Sequence, residues 1–429
     1  MFDAMRLIEK LPEMLAGEEL IQEMSLLPAY EEELCRNGSD AQRLMKLSDL
    51  YNIYLPSGMS TEIYSKLYLA ILRSLQKKGT KLAIQQLNSN KKNISKATDS
   101  RNNQAYSGII GGSDSFTIIG TSGIGKSSAI SRALNLITAS QIIQIEEPYL
   151  KIIPCLTVQC PYDSSVKGML LEILRKVDEE LETTYYQNAL RARATIDMLI
   201  GSVSQVCLNH IGLLVVDEIQ NVVNSKNGKS LIGSLTQLIN NSGISICMVG
   251  TPESEIFFGQ AMQLARRSLG LKYTVLPYDA YFQNVCKTLF QYQYVKEHTE
   301  LTDGMVQWLY EHSAGVISIV VSLLHDAQEI AILNGKERLD MSALQEVYTQ
   351  RMGMLDDYIN PVVQSGEKKK TGKKKRVLQE KKSMLQEKED LAKTEENISL
   401  FQHLAERAKK EKADMVEMLA KYIEVEVVV

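Results

Sequence analysis

The sequence lacks any apolar run approaching the ~18 residues that a membrane-spanning helix requires. Its first residues, Met1-Phe2-Asp3-Ala4-Met5-Arg6, carry no signal-peptide pattern. It has six cysteines but no Cys-x-x-Cys pair. Cys155 and Cys160 stand five apart, a spacing that a regular strand turns to opposite faces. Buried free thiols are therefore expected, rather than zinc ligands or disulfides. The five histidines are scattered without metal-ligand spacing, and no internal repeat is present. Nor is there a global basic field. The 48 basic and 52 acidic residues give a formal charge of −4, so bulk electrostatics do not demand a nucleic-acid partner. These absences predict a soluble, cytoplasmic chain with no membrane partner. Its 429 residues suffice for two or three domains.

Against that background one segment stands out. Residues 120–127 read Gly-Thr-Ser-Gly-Ile-Gly-Lys-Ser, a full match to the phosphate-binding loop G-x-x-x-x-G-K-[ST]. Gly120, Gly123 and Gly125 let successive backbone N–H groups of Thr121, Ser122, Ile124 and their neighbours turn toward phosphate oxygens. Lys126 places a charge on the β- and γ-phosphates, and the Ser127 hydroxyl is a candidate Mg²⁺ ligand. The flanks agree. Ser115–Ile119 reads as a short apolar strand, and Ser128–Thr138 as a helix with Ala129, Ile130, Ala133, Leu134 and Ile137 on one face. The N-terminus of that helix adds its dipole to the anion site. A nucleoside triphosphate, ATP, with Mg²⁺ is the expected ligand.

A second motif supports the first. Leu213–Val216 is a continuous apolar run, as in a parallel strand buried on both faces. It ends in Asp217-Glu218, two carboxylates at a strand's C-terminal edge, where open α/β sheets bind ligands. Asp217 suits the metal-holding role and Glu218 that of a general base for the attacking water.

The pattern along the chain divides it. Residues 1–104 read as a helical N-terminal region and linker. Within it Met59–Leu75 has a stripe of Ile63, Leu67, Ala70, Ile71 and Leu75 beside Tyr64 and Tyr68. Ser60 is a candidate cap, and the stripe could serve as core or as a partner surface. Residues 105–279 alternate strand and helix, which implies a parallel sheet with crossover helices. The strand candidates are Ser115–Ile119, Ile152–Gln159, Ile211–Val216, Ile244–Val249 and Tyr273–Leu276, and Pro154 places the second outside the sheet centre. A helix is expected over Ser230–Asn240. Residues 280–360 read as helices only. From 361 the chain becomes a charged tail, with Lys368–Arg376 carrying seven positive charges in nine residues. That run suits either phosphate contact or a solvated tether.

The order of these motifs resembles the AAA+ ATPases. In that plan Thr251, at the end of Ile244–Val249-Gly250, sits between the two motif strands at the position of a γ-phosphate sensor. Arg266 and Arg267 then occupy the place of the arginine finger that enters a neighbouring subunit's site. The chain has no Leu-Ser-Gly-Gly-Gln segment of the ABC type. More narrowly, several segments are similar to the AAA+ transposition regulators of the TnsC and TniB type, over about residues 50–350. They are Asp217-Glu218-Ile219-Gln220-Asn221, Leu235–Ile239 with Asn241, Val249-Gly250-Thr251-Pro252-Glu253, Ala265-Arg266-Arg267 and Leu276-Pro277-Tyr278. The resemblance implies a five-stranded parallel P-loop sheet with flanking helices, a small helical lid and a helical N-terminal region. It also implies an ATPase whose nucleotide state governs assembly as rings or filaments on double-stranded DNA. A transposase and a target-selection protein are the implied partners. Lys167, Lys226 and Lys229 are the weak candidates for phosphate contact. One departure is that Ala314-Gly315-Val316-Ile317-Ser318 lacks the arginine that many AAA+ lids carry, which predicts loose coupling of lid to nucleotide and slow hydrolysis. A replication-initiator-like ATPase and a STAND-like signalling scaffold are the competing readings.

Overall fold

The computed structural model describes residues 5–78, 115–139, 142–145, 150–223, 225–256 and 270–352. The N-terminal region holds Met5–Ile8 (α1), Gly17–Met24 (α2), Glu32–Asn37 (α3), Asp40–Lys46 (α4), Asp49–Asn52 (α5) and the long helix Gly58–Lys78 (α6). The α6 stripe is core. Ile63, Leu67, Ala70, Ile71 and Leu75 are buried together with Tyr64 and Tyr68. The Tyr64 hydroxyl accepts a hydrogen bond from Leu15 N, and the Tyr68 hydroxyl donates to Pro12 O. The expected cap is displaced. Ser60 lies inside α6, and its Oγ accepts from Ser57 N while Ser57 Oγ accepts from Ser60 N. The helix therefore begins a residue earlier than its apolar period suggests.

The central sheet is built from Phe116–Gly120 (β1), Ile143–Ile145 (β2), Leu150–Gln159 (β3), Ile211–Asp217 (β4), Ser245–Gly250 (β5) and Leu271–Tyr273 (β6). The strand order is β2-β3-β4-β5-β1-β6. All pairings are parallel except the short antiparallel one between β2 and β3. The expected sheet of five strands is thus six. Ile143 and Ile145 are buried and Gln144 is exposed, a period-2 alternation too short to read from sequence alone. The last strand is also shifted toward the N-terminus. Gly270 passes so close to Thr117 that a Cβ would lie 2.5 Å from its Oγ1. This lets Leu271 and Tyr273 pair with Ile118 and Gly120, leaving Val275 and Leu276 to enter the next segment.

Lys126–Thr138 (α7) follows β1. Val166–Leu181 (α8), Tyr185–Arg191 (α9) and Ile196–His210 (α10) follow β3, and Gly228–Ser242 (α11) follows β4. This last helix starts two residues before the expected Ser230, because Gly228 nestles against the Val222 carbonyl, where a Cβ would approach to 2.1 Å. Two apolar cores flank the sheet. On one face Leu214 and Val216 of β4 pack with Ile173, Leu174, Leu199, Val203, Leu231 and Leu235. On the other, Leu213 and Val215 pack with Ile63, Leu67, Ile71, Ala133 and Ile137. Successive β4 side chains thus serve opposite cores, which explains the unbroken apolar run. The result is a mixed α/β fold in which helices cover both faces of a mostly parallel sheet and the phosphate-binding loop joins β1 to α7.

Ala280–Gln291 (α12), Asp303–Ser313 (α13), Ile317–Leu333 (α14) and Met341–Val347 (α15) form the C-terminal helical segment. Tyrosines tie it to the N-terminal region. Tyr30 donates to Gln293 O, Tyr292 to Pro28 O, Tyr281 to Leu55 O and Tyr294 to Asp49 Oδ2. Among the described residues no single helix is long and apolar enough to cross a membrane. The described cysteines, Cys155, Cys160, Cys207, Cys247 and Cys286, are free thiols. Burial pushes Cys155, Cys207 and Cys286 up to about 12 and Cys160 up to about 11, as expected of inert core thiols.

Candidate nucleotide site

The β1–α7 connection is the loop read from the sequence. Gly123 and Gly125 have φ of 79° and 93°, the left-handed region that a side chain at these positions would strain. Gly120 is fixed by a different demand. A Cβ there would lie 2.9 Å from Ile124 Cδ1 and 3.0 Å from Tyr273 O, so only glycine lets β6 close on the loop. Helix α7 begins at Lys126, two residues earlier than expected, with Gly125 as its N-cap. Thr121, Ser122, Ile124, Ser127 and Ser128 complete the turn and the first helical residues.

Lys126 is nearly buried, at 9% exposure. Its ammonium donates to Gly120 O at 2.6 Å and Thr121 O at 2.8 Å. Burial lowers its pKa, opposed by the charges of Asp217 and Glu218. Ser127 Oγ donates to Asp217 Oδ2 at 3.1 Å, across 90 positions of sequence, so the two oxygen donors expected at a metal meet at one point. A hydroxyl and a carboxylate are the hard ligands Mg²⁺ selects, usually alongside phosphate oxygens and water. The residues present fit that ion.

Glu218 N donates to the other oxygen of Asp217 at 2.8 Å. The backbone of Glu218 is left-handed, with φ of 58°, a costly conformation for a side-chain-bearing residue and one that concentrates at functional sites. Its carboxylate is exposed and accepts a short hydrogen bond from Gln220 Nε2. Gln220 Oε1 in turn accepts from Thr251 N at 3.3 Å. Gln220 therefore bridges the candidate base and the tip of β5. Gly250 allows the approach, since a Cβ there would come within 2.7 Å of Ile219 Cγ2. In the sequence Gln220 stands out only within the Asp217–Asn221 motif. Its position two residues past the carboxylate pair was the available signal. Thr251 stands where expected, with β5 lying between β4 and β1, but its hydroxyl donates to Glu253 Oε2 at 2.5 Å.

A cavity of ≈240 Å³ opens beside the loop. Gly123, Gly125 and Ser128 form its floor, Tyr54 and Leu55 one wall, and Tyr281, Ile317 and Val321 the other. Such apolar walls next to a phosphate cradle suit a nucleobase. The floor belongs to the loop motif, but the walls leave no pattern in the sequence, because they come from three further stretches of chain. The helical segment also touches the loop directly. Ser318 N donates to Gly123 O at 3.2 Å, and a Cβ on Gly123 would lie 2.3 Å from Ser318 Oγ. The segment without the expected arginine is thus in backbone contact with the phosphate loop.

The remaining candidates divide. Lys167 lies on the first turn of α8, Lys226 precedes α11, and Lys229 lies on the first turn of α11; all three are exposed. Lys229 is therefore helical rather than in a loop. Arg266, Arg267 and the tail from 361 lie outside the described residues.

Residues 111–256 match the AAA domain family (AAA_22). No curated protein matches the chain. Among solved structures this chain is similar to the Aeropyrum pernix ORC1 protein in complex with DNA, at 18% identity and a TM-score of 0.40, covering 58% of this chain and 62% of that one. It is also similar to the Aeropyrum pernix ORC2 protein in its ADPNP–ADP complexes, at 14% and 0.37, over 55% and 61%. A third likeness is to domain III of the Thermotoga maritima replication initiation protein DnaA, at 16% and 0.33, over 57% and 84%. The chain spans about three-fifths of the length of the two ORC proteins.

Proposed function

We propose that this chain is an ATP-dependent, DNA-binding AAA+ regulator of DNA transposition. In this reading ATP with Mg²⁺ favours its assembly on duplex target DNA, the assembly recruits a transposase, and hydrolysis releases it. The observation that carries the ATPase part is the meeting of Ser127 Oγ and Asp217 Oδ2 at 3.1 Å, with Glu218 next in line. Within such a site the loop N–H groups and Lys126 bind phosphate, and Lys126 exchanges its two loop carbonyls for phosphate oxygens. Ser127 and Asp217 would hold Mg²⁺, and the ion when bound would supply neutralisation of charge on the phosphates. Glu218 orients and deprotonates the attacking water. The bridge through Gln220 links that carboxylate to Thr251, next to the strand tip where a γ-phosphate would be sensed.

The DNA and transposition part rests on the sequence resemblance, supported by the exposed Lys167, Lys226 and Lys229 along the same sheet edge. The test is ATP turnover by the full chain with and without duplex DNA, together with electron micrographs. Stimulation by DNA with ATP-dependent rings or filaments is expected. Turnover indifferent to DNA, with no assemblies, points instead to a signalling scaffold.

A further inference from the structure

Outside the nucleotide site, the turn after β3 is densely hydrogen-bonded. Tyr162 at its tip is 91% exposed, the most exposed of the large apolar side chains described. The turn beneath it is held on every side. Ser164 is fully buried with a left-handed φ of 51°, a strained state that only surrounding bonds maintain. Its N–H donates to Pro161 O at 2.9 Å and its Oγ to Asn221 O at 3.2 Å. Asn221 Nδ2 donates to Cys160 O at 2.9 Å. The Asp163 carbonyl accepts from Ser225 Oγ at 2.8 Å and Asn227 Nδ2 at 3.2 Å.

These bonds fuse the turn to the loop before α11, and so bring the segments bearing Lys167, Lys226 and Lys229 into one surface with the ring. The exposed acidic group of the turn is Asp163, whose carboxylate accepts from Ser165 N at 3.0 Å. Three lysines outweigh it. A rigid pedestal that presents an aromatic ring to solvent among cations fits a polyanion with flat faces or sugar edges. The pedestal also leads to the nucleotide site, since Cys160 N donates to Asp217 O at 2.8 Å and Asn221 N to Glu218 O at 3.0 Å.

We infer that Tyr162 is a duplex-DNA contact residue, its ring set against the groove edge while Lys167, Lys226 and Lys229 take backbone phosphates. This rests on the DNA-binding reading above and adds the residue that touches something other than phosphate. Phosphate contacts by lysine release counterions and make affinity salt-dependent, whereas an aromatic contact does not. The two contributions are therefore separable.

The experiment is a fluorescence-anisotropy titration of a labelled duplex with the full chain, ATP and Mg²⁺, repeated over a range of salt. Tyr162→Ala is expected to weaken binding about fivefold with the salt slope unchanged, and Tyr162→Phe to bind like the parent. Joint replacement of the three lysines by alanine is expected to flatten the slope by up to about three. Unchanged melting temperatures establish that the variants are folded. If the parent binds duplex and the lysine variant is impaired while Tyr162→Ala binds like the parent, this inference is overturned and the DNA reading stands. If the parent binds no duplex at all, both fall.

Discussion

Arg43 of the N-terminal region and Glu337 of the C-terminal helical segment, 294 positions apart, form a two-pronged ion pair. Nη1 meets Oε2 and Nη2 meets Oε1, each at 2.6 Å. The arginine side chain is 1% exposed and the glutamate 13%. Nη1 also donates to Tyr294 O, and Nη2 to Asp40 Oδ1. Helix α4 is thus locked to the turn between α14 and α15.

Removing one partner of such a pair leaves a charge buried without its counterpart. Glu337→Ala should lower stability by about 3 kcal/mol in chemical denaturation, the low end for a broken buried pair because Asp40 and Tyr294 O still serve Arg43. The hydrogen bonds from Arg43 hold the Glu337 carboxyl below the usual carboxylate range. Its contribution is therefore full above the unfolded-state value of 4.5 and lost as pH falls through the lower folded value. Glu337→Gln should lose less stability than the parent over that acidic window.

Lys126→Ala should abolish nucleotide binding, and with it assembly on DNA, because the loop then keeps its N–H groups but loses its one ammonium. Unchanged affinity for ATP by isothermal titration would sink the phosphate-loop assignment.

Glu218→Gln should retain ATP binding and slow turnover at least about tenfold, within the range of general-base contributions. Gln220 gives a sharper contrast. Its amide occupies one oxygen of Glu218, so Gln220→Ala should free that oxygen for water and raise DNA-independent turnover several-fold at unchanged ATP affinity. A fall in turnover would make Gln220 a positioning residue for the productive state.

Arg266 and Arg267 are testable without a described position. If either enters a neighbour's site, mixing Arg266→Ala or Arg267→Ala with Lys126→Ala should restore turnover, since one complete composite site can form from two defective chains. Absence of rescue in every mixture excludes an interface finger at these positions.

Lys78, at the end of α6, is buried, and its ammonium donates to Cys207 O and Leu208 O at the end of α10. Burial pushes its pKa down from 10.5 to about 7. Between those values the unfolded chain binds the proton and the folded chain does not, so stability rises with pH, by about 1.4 kcal/mol per unit. Denaturation of the parent and of Lys78→Met from pH 7 to 10 should show that extra rise in the parent alone.

What could be read in advance was local. The phosphate loop, the apolar β4 run and its carboxylates, and the position of β5 between β1 and β4 follow from contiguous residues with fixed spacing. Pro154 correctly kept β3 from the sheet centre, since only β4 and the three residues of β2 flank it. Contacts that close over long sequence separations left no such pattern. Arg43 with Glu337, Gln220 with Thr251, and the cavity walls each combine residues whose individual types are ordinary. Short elements failed for another reason: β2 and β6 span three residues each, too few for periodicity to separate strand from loop.

The contact between Ser318 N and Gly123 O changes what the missing lid arginine means. A reporter made of an ammonium or guanidinium senses phosphate through a field, and ions in the buffer dilute that signal. Here the helix start rests on the loop by a neutral backbone bond and by steric touch, with no space at Gly123 for even a methyl group. A shift of the loop must displace Ile317 and Ser318 mechanically. The message from nucleotide to that helix should therefore travel equally well in dilute and concentrated salt, whereas the proposed grip on DNA should weaken.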